Sequence, residues 1–198
     1  YTYSKKSIKS EIYNLLYHEN LVFLVGFPRS GTTLLDSILR SHSRTHVIEE
    51  KPFLLNIRHE YFKNHTLEEL SQISQNNIIK LQKKYFKLIN YTEKKVIIDK
   101  FPLNLIELGF IKKLFPNSKI ILTLRHPLDS ILSCVLTSFK INEAMANYEN
   151  LETAAFFYNE VFKLFTVYKN VFNFSLYQIK YENIVENFND EIEKLLLF

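Results

Sequence analysis

The chain has 198 residues, 46% of them hydrophobic and 23% charged, and a formal net charge of +4. That is enough apolar material for the core of one ordinary domain, and it excludes a disordered chain. The charge is too weakly basic for a nucleic-acid partner but suits a small anionic ligand, and a lone cysteine, Cys134, excludes an internal disulfide or a multi-cysteine metal site.

Residues 1–20 read as a helical extension, and residues 21–198 as the domain proper. Leu21–Val25 is a short apolar run ended by Gly26, the pattern of a buried parallel strand. Thr32–Ser41 carries Leu34, Leu35, Ile38 and Leu39 at helical spacing. Thr45–Ile48 is a short strand-like segment. Thr66 and Glu69 form a capping box for a helix to about Ile89. Lys95–Ile98, Lys119–Leu124 and residues 174–180 are further strands. Residues 103–115, 128–140 and 150–170 are helices, the last with Phe156, Val161, Leu164, Phe165 and Tyr168 on its apolar face. Strands alternating with helices predict an α/β fold, a parallel β-sheet flanked by helices. Ligands of such folds sit beyond the C-terminal strand ends. No run reaches the roughly 18 apolar residues of a membrane span, and no signal peptide opens the chain. With the single cysteine, this predicts a cytoplasmic protein without a membrane partner. The apolar end at Leu195–Phe198 and the absent initial Met read as a piece of a longer chain.

The strongest local signal is Gly26-Phe27-Pro28-Arg29-Ser30-Gly31-Thr32-Thr33, which follows a strand and opens a helix. Gly26 lets the chain leave the strand sharply, and Gly31 lets backbone N–H groups approach an anion. The free N–H groups and dipole of the helix start point at that anion, and Thr32 and Thr33 add hydroxyl donors. The spacing is that of a nucleoside-triphosphatase loop, but Thr32 stands where its lysine belongs, and the cation is Arg29. Loss of that lysine disfavours ATP or GTP hydrolysis.

Residues 27–35 resemble the 5′-phosphosulfate loop of the P-loop sulfotransferases, which use 3′-phosphoadenosine 5′-phosphosulfate (PAPS). The arginine form is similar to that of the tyrosylprotein sulfotransferases and the bacterial sulfotransferases that follow tetratricopeptide repeats. Asp99-Lys100-Phe101-Pro102-Leu103-Asn104 resembles the DKxPxN block of that branch. Residues 124–134 resemble the 3′-phosphate block, and Lys180-Tyr181-Glu182-Asn183-Ile184-Val185 the late YExLV block. The resemblance implies a P-loop, sulfotransferase-like fold that uses no metal. It also implies nucleotide contacts from Arg29, Ser30, Gly31, Thr32, Thr33, Arg125, Ser133 and Tyr181. A late loop closing over adenine is implied beyond the last residue of this chain.

The resemblance sets Lys100 against the transferring sulfuryl group, where it and Arg29 can supply charge without a metal, and an acceptor hydroxyl also needs a base. Adjacent residues on a strand point oppositely, so Lys100 can face the site while Asp99 does not. Glu49-Glu50 is the candidate base pair. Two adjacent carboxylates repel, and the resemblance gives the role to the second, Glu50. Ile48 replaces a glycine of the tyrosylprotein branch, and Lys51-Pro52 replaces a pair that holds peptide. The acceptor is therefore a hydroxyl or amine, with protein tyrosine one candidate among several. His42 and His46 rank below Glu50, and His126 reads as structural. Two other readings stay open. One is a small-molecule or nucleotide kinase, with Asp99 as its acidic Mg²⁺ partner. The other is a nucleotide-binding module that has lost catalysis.

Overall fold

The structure is a computed structural model that describes residues 20–62, 67–90, 95–137 and 145–198. Five parallel strands form one sheet in the order β2-β3-β1-β4-β5. They are β1 (Leu21–Gly26), β2 (Thr45–Glu49), β3 (Val96–Lys100), β4 (Lys119–Leu124) and β5 (Ser175–Lys180). The three strands with unbroken apolar runs take the middle of the sheet, where both faces are covered. The more polar β2 and β5 take the edges. The α/β reading from the sequence therefore holds.

The helices are α1 (Thr32–Arg40), α2 (Phe53–Tyr61), α3 (Leu67–Ser71), α4 (Gln75–Leu88), α5 (Leu108–Leu114), α6 (Pro127–Val135), α7 (Leu151–Val171), α8 (Tyr181–Glu186) and α9 (Phe188–Leu197). Strand alternation sends Phe23, Ile97, Ile120 and Leu122 into one core with α4, α5 and α7. It sends Val22, Leu24, Ile98 and Ile121 into a second core with Leu35 and Leu39 of α1 and Leu195 of α9. Because β1 is the middle strand, the loop that leaves it stands at the centre of the sheet's C-terminal edge. Phe27 pins that loop from below. Its ring is fully buried, 4.8 Å from Tyr158 and 5.9 Å from Tyr148.

Several elements depart from expectation. The single helix expected to Ile89 is two, α3 and α4, because Ser74 turns extended and caps α4 by accepting from the Asn77 N–H at 3.3 Å. Thr66 of the expected capping box lies outside the described residues, as do Phe139 and residues 1–19. The segment from Pro102 to Glu107 is a 3-10 turn rather than α-helix. Pro102 starts it, and three residues per turn bring Leu105 and Leu108 to the same buried side. α6 ends at Val135, and its buried face is Ser130, Ile131 and Cys134, so Leu128, Leu132 and Leu136 face outward. On α7, Phe156 points to solvent, and Phe157 and Tyr158 pack on Phe27 in its place. Among the described residues no helix is long and apolar enough to cross a membrane.

Candidate active site

The loop between β1 and α1 curls through two left-handed residues, Arg29 at φ 68° and Gly31 at φ 98°. At Gly31 a side chain is excluded twice, by that backbone angle and because a Cβ would stand 2.7 Å from Tyr181 Cδ2. Gly26 has no room either, since a Cβ there would lie 2.6 Å from Ser30 Oγ. The amides that open α1 have no carbonyl partner within the helix and are available to an anion. Thr33 is exposed beside them, and Thr32 is nearly buried. The Ser30 hydroxyl turns inward and shares a 2.7 Å hydrogen bond with Thr123 of β4, and its N–H donates to the Phe27 carbonyl at 3.1 Å, so Ser30 shapes the loop.

β3 separates its last two residues as strand alternation requires. Asp99 enters the first core and accepts a 2.5 Å hydrogen bond from Tyr85. Burial drives its pKa up to about 7, although the bond from Tyr85 pulls the other way. Lys100 leaves on the opposite face. Its side chain is fully buried, yet its ammonium meets three carboxylates, Glu50 at 2.7 Å and Asp36 and Glu49 at 3.7 Å. Asp36 is itself buried on α1 and is also held by Arg40 Nη2 at 2.7 and 2.9 Å. Arg40 reaches on to Glu49 at 3.4 Å. Glu50 sits just beyond β2 with φ 45°, and its N–H donates to the Lys100 carbonyl at 2.8 Å.

On the other side of the loop, Arg125 follows β4 and Tyr181 follows β5. The Arg125 guanidinium lies 4.8 Å from the Tyr181 ring centre and donates to the Arg29 carbonyl at 3.2 Å, while its buried Nε has no hydrogen-bond partner. Arg29 Nε donates to Ser133 of α6 at 3.0 Å, so the loop arginine is turned toward the Arg125 side. Glu182 ties β5 to β4 by accepting from the His126 N–H at 2.8 Å. Burial raises the Glu182 pKa, but that bond and the Arg125 charge outweigh it and leave the pKa below its ordinary value. Cys134 is buried against the Pro28 carbonyl, and burial lifts its thiol pKa to about 12, which makes it a packing residue.

These groups surround one open cleft of about 680 Å³ on the C-terminal edge, lined by Arg29, Gly31, Thr32, Thr33, Glu49, Glu50, Phe101, Arg125 and Tyr181 among others. His42 lines a separate hollow of about 300 Å³ near the N-terminal strand ends, and His46 lies on β2 outside the cleft. Asp99 does not reach the cleft, so it cannot serve there as an acidic metal partner. Among the described residues, no group of three histidine, cysteine or carboxylate side chains is arranged to hold a metal ion. Reading the sequence alone misses Asp36, Arg40 and Thr123, and it places Glu182 in the YExLV block without its bond to the His126 N–H. The only signal for Asp36 and Arg40 was their four-residue spacing on a helix that starts at the loop.

Comparison with known proteins identifies the family and the fold. The model of the Sulfotransferase family matches residues 21–198. An uncharacterized protein of Aquifex aeolicus (strain VF5) is 26% identical over 198 residues, covering 89% of this chain and 25% of that protein. Protein-tyrosine sulfotransferase A of Caenorhabditis elegans is 28% identical over 138 residues, covering 62% of this chain and 36% of that protein. The chain thus spans a quarter to about a third of the curated relatives it matches. Among solved structures, the sulfotransferase domain from the curacin biosynthetic pathway superposes with a TM-score of 0.57 at 23% identity, covering 88% of this chain and 71% of that one. The sulfotransferase domain of the Synechococcus PCC 7002 olefin synthase gives 0.59 at 20% identity, covering 88% and 70%.

Proposed function

This chain belongs to the sulfotransferase family, and on that premise we propose that it moves a sulfuryl group from PAPS to an acceptor hydroxyl. The observation that carries the reading is that Glu50, paired with the buried Lys100 ammonium just behind it, lines the same cleft as the lysine-free phosphate loop. The donor's 5′-phosphosulfate takes the loop amides, Thr33 and Arg29. Its 3′-phosphate takes Arg125, whose unpartnered Nε is a donor in want of an acceptor, together with Ser133. The Tyr181 ring, 4.8 Å from the Arg125 guanidinium, supports it beside them.

The reaction asks little covalent work of the protein. The acceptor oxygen attacks sulfur in line with the bond to the 5′-phosphate oxygen. Glu50 takes the acceptor proton, the S–O bond to the phosphate breaks, and 3′,5′-ADP leaves with the electron pair. Lys100 and Arg29 meet the charge that builds on the leaving and equatorial oxygens. The kinase reading loses its acidic metal partner, because Asp99 lies on the far face of β3.

The test is transfer from ³⁵S-labelled PAPS to a phenol acceptor, with ATP and Mg²⁺ as the alternative donor. The reading expects label on the phenol without added metal, and a fall of about 10²–10³ in turnover for Lys100→Met. Transfer of phosphate from ATP instead would overturn it.

A further inference from the structure

The sheet order divides the cleft into two charge environments. Arg29 and Arg125, the cations that line it, follow β1 and β4. On the other side, beyond β2 and β3, the lining residues are Glu49, Glu50, Phe101, Pro102 and Leu103. Lys100 is also there, but its side chain is fully buried and already faces three carboxylates. Arg40 is held by Asp36 and Glu49. Three carboxylates thus meet two cations, and both glutamates stay more than half exposed. Lys51 follows the pair but does not line the cleft.

We propose that the acceptor of this chain is a neutral or positively charged hydroxyl compound with an apolar body, and that Glu49 excludes acidic acceptors such as tyrosines flanked by carboxylates. The proposal rests on the sulfuryl-transfer reading, with Glu50 as base and the donor on the Arg29–Arg125 side. The acceptor then enters over Phe101, Pro102 and Leu103, whose surfaces cover an apolar ring or chain. Its hydroxyl meets Glu50, and its other substituents pass Glu49. Glu50 must be ionised to accept the proton, so this side of the cleft is negative at the moment of reaction. An acidic acceptor brings a like charge against it, and among the described residues that line the cleft the cations are Arg29 and Arg125, on the donor side. The cost is about tenfold for each carboxylate carried within about 5 Å of Glu49.

Three phenols that differ in charge test this. They are tyramine, N-acetyltyrosine amide, and a short peptide with glutamates on both sides of a tyrosine. The expected result is kcat/KM about tenfold or more higher for the first two than for the acidic peptide. The gap should narrow at least threefold in Glu49→Gln and narrow as salt is raised. Glu49 is exposed, so its substitution leaves the fold intact. A preference for the acidic peptide, or a gap that neither Glu49→Gln nor salt moves, overturns the proposal. So does a chain that binds 3′,5′-ADP yet sulfates none of the three, which leaves the donor reading standing. A chain that binds no 3′,5′-ADP loses the donor reading as well.

Discussion

The ammonium of Lys100 lies 2.7 Å from the Glu50 carboxylate, and the Glu50 N–H donates to the Lys100 carbonyl at 2.8 Å. Each residue thus fixes the other's backbone or side chain across the β2–β3 edge. Groups coupled this closely act as a unit. Lys100→Met and Glu50→Gln should each lower kcat by about 10²–10³, and the double variant should lose little more than either alone. Single-turnover rates of the three variants check this. Multiplicative losses would show two independent roles.

Asp36 is the buried anchor of the same cluster, bound by Arg40 and 3.7 Å from Lys100. Removing its charge takes away the buried carboxylate that Arg40 and Lys100 share and leaves them only the more exposed Glu49 and Glu50. Asp36→Asn should cost about 2–4 kcal/mol in urea unfolding. Arg40→Ala, at the half-exposed end of the pair, should cost about 1 kcal/mol or less.

Gly31→Ala should combine backbone strain with a clash against Tyr181. A loss of about 1–3 kcal/mol in stability and at least tenfold in 3′,5′-ADP affinity is expected. Adding Tyr181→Ala should recover the clash but not the strain, so rescue should be partial in thermal melts.

Asp99 holds a proton up to about pH 7 in the folded chain, against an ordinary value of 3.8. Between those values the folded state binds more protons than the unfolded one, so the contribution of this group is full below about pH 4 and declines as pH rises through 7. The decline amounts to as much as ~4 kcal/mol. Buried Glu107 shifts in the same direction. Asp99→Asn should flatten most of the slope measured by urea unfolding at pH 5 and pH 8. An unchanged slope would place the proton elsewhere.

Much of this was legible in the sequence because it is local. Gly26, Arg29, Gly31 and Thr33 are consecutive enough to spell a phosphate loop, and the opposed faces of Asp99 and Lys100 follow from strand geometry alone. The central strands announced themselves as unbroken apolar runs. What stayed hidden depends on partners distant in the chain. Nothing in residues 75–88 says that Tyr85 will meet Asp99, and Asp36 and Lys100 touch only because α1 packs beside β3. The break at Ser74 was hidden because apolar residues continue through Ile73, and periodicity does not show a cap. On α7 two adjacent phenylalanines compete for one face, and only the position of Phe27 makes Phe157 the one that turns inward and is partly buried. Tyr181 looked like a contact for the nucleotide alone, but its ring also packs against Gly31 and Arg125.

Calorimetric titration with 3′,5′-ADP, set against 5′-AMP and against ATP with Mg²⁺, tests the donor site most directly. The account predicts metal-independent binding of 3′,5′-ADP at least tenfold tighter than 5′-AMP, with that preference lost in Arg125→Ala. Binding of ATP only with Mg²⁺, or a preference for 3′,5′-ADP that Arg125→Ala leaves intact, would contradict it.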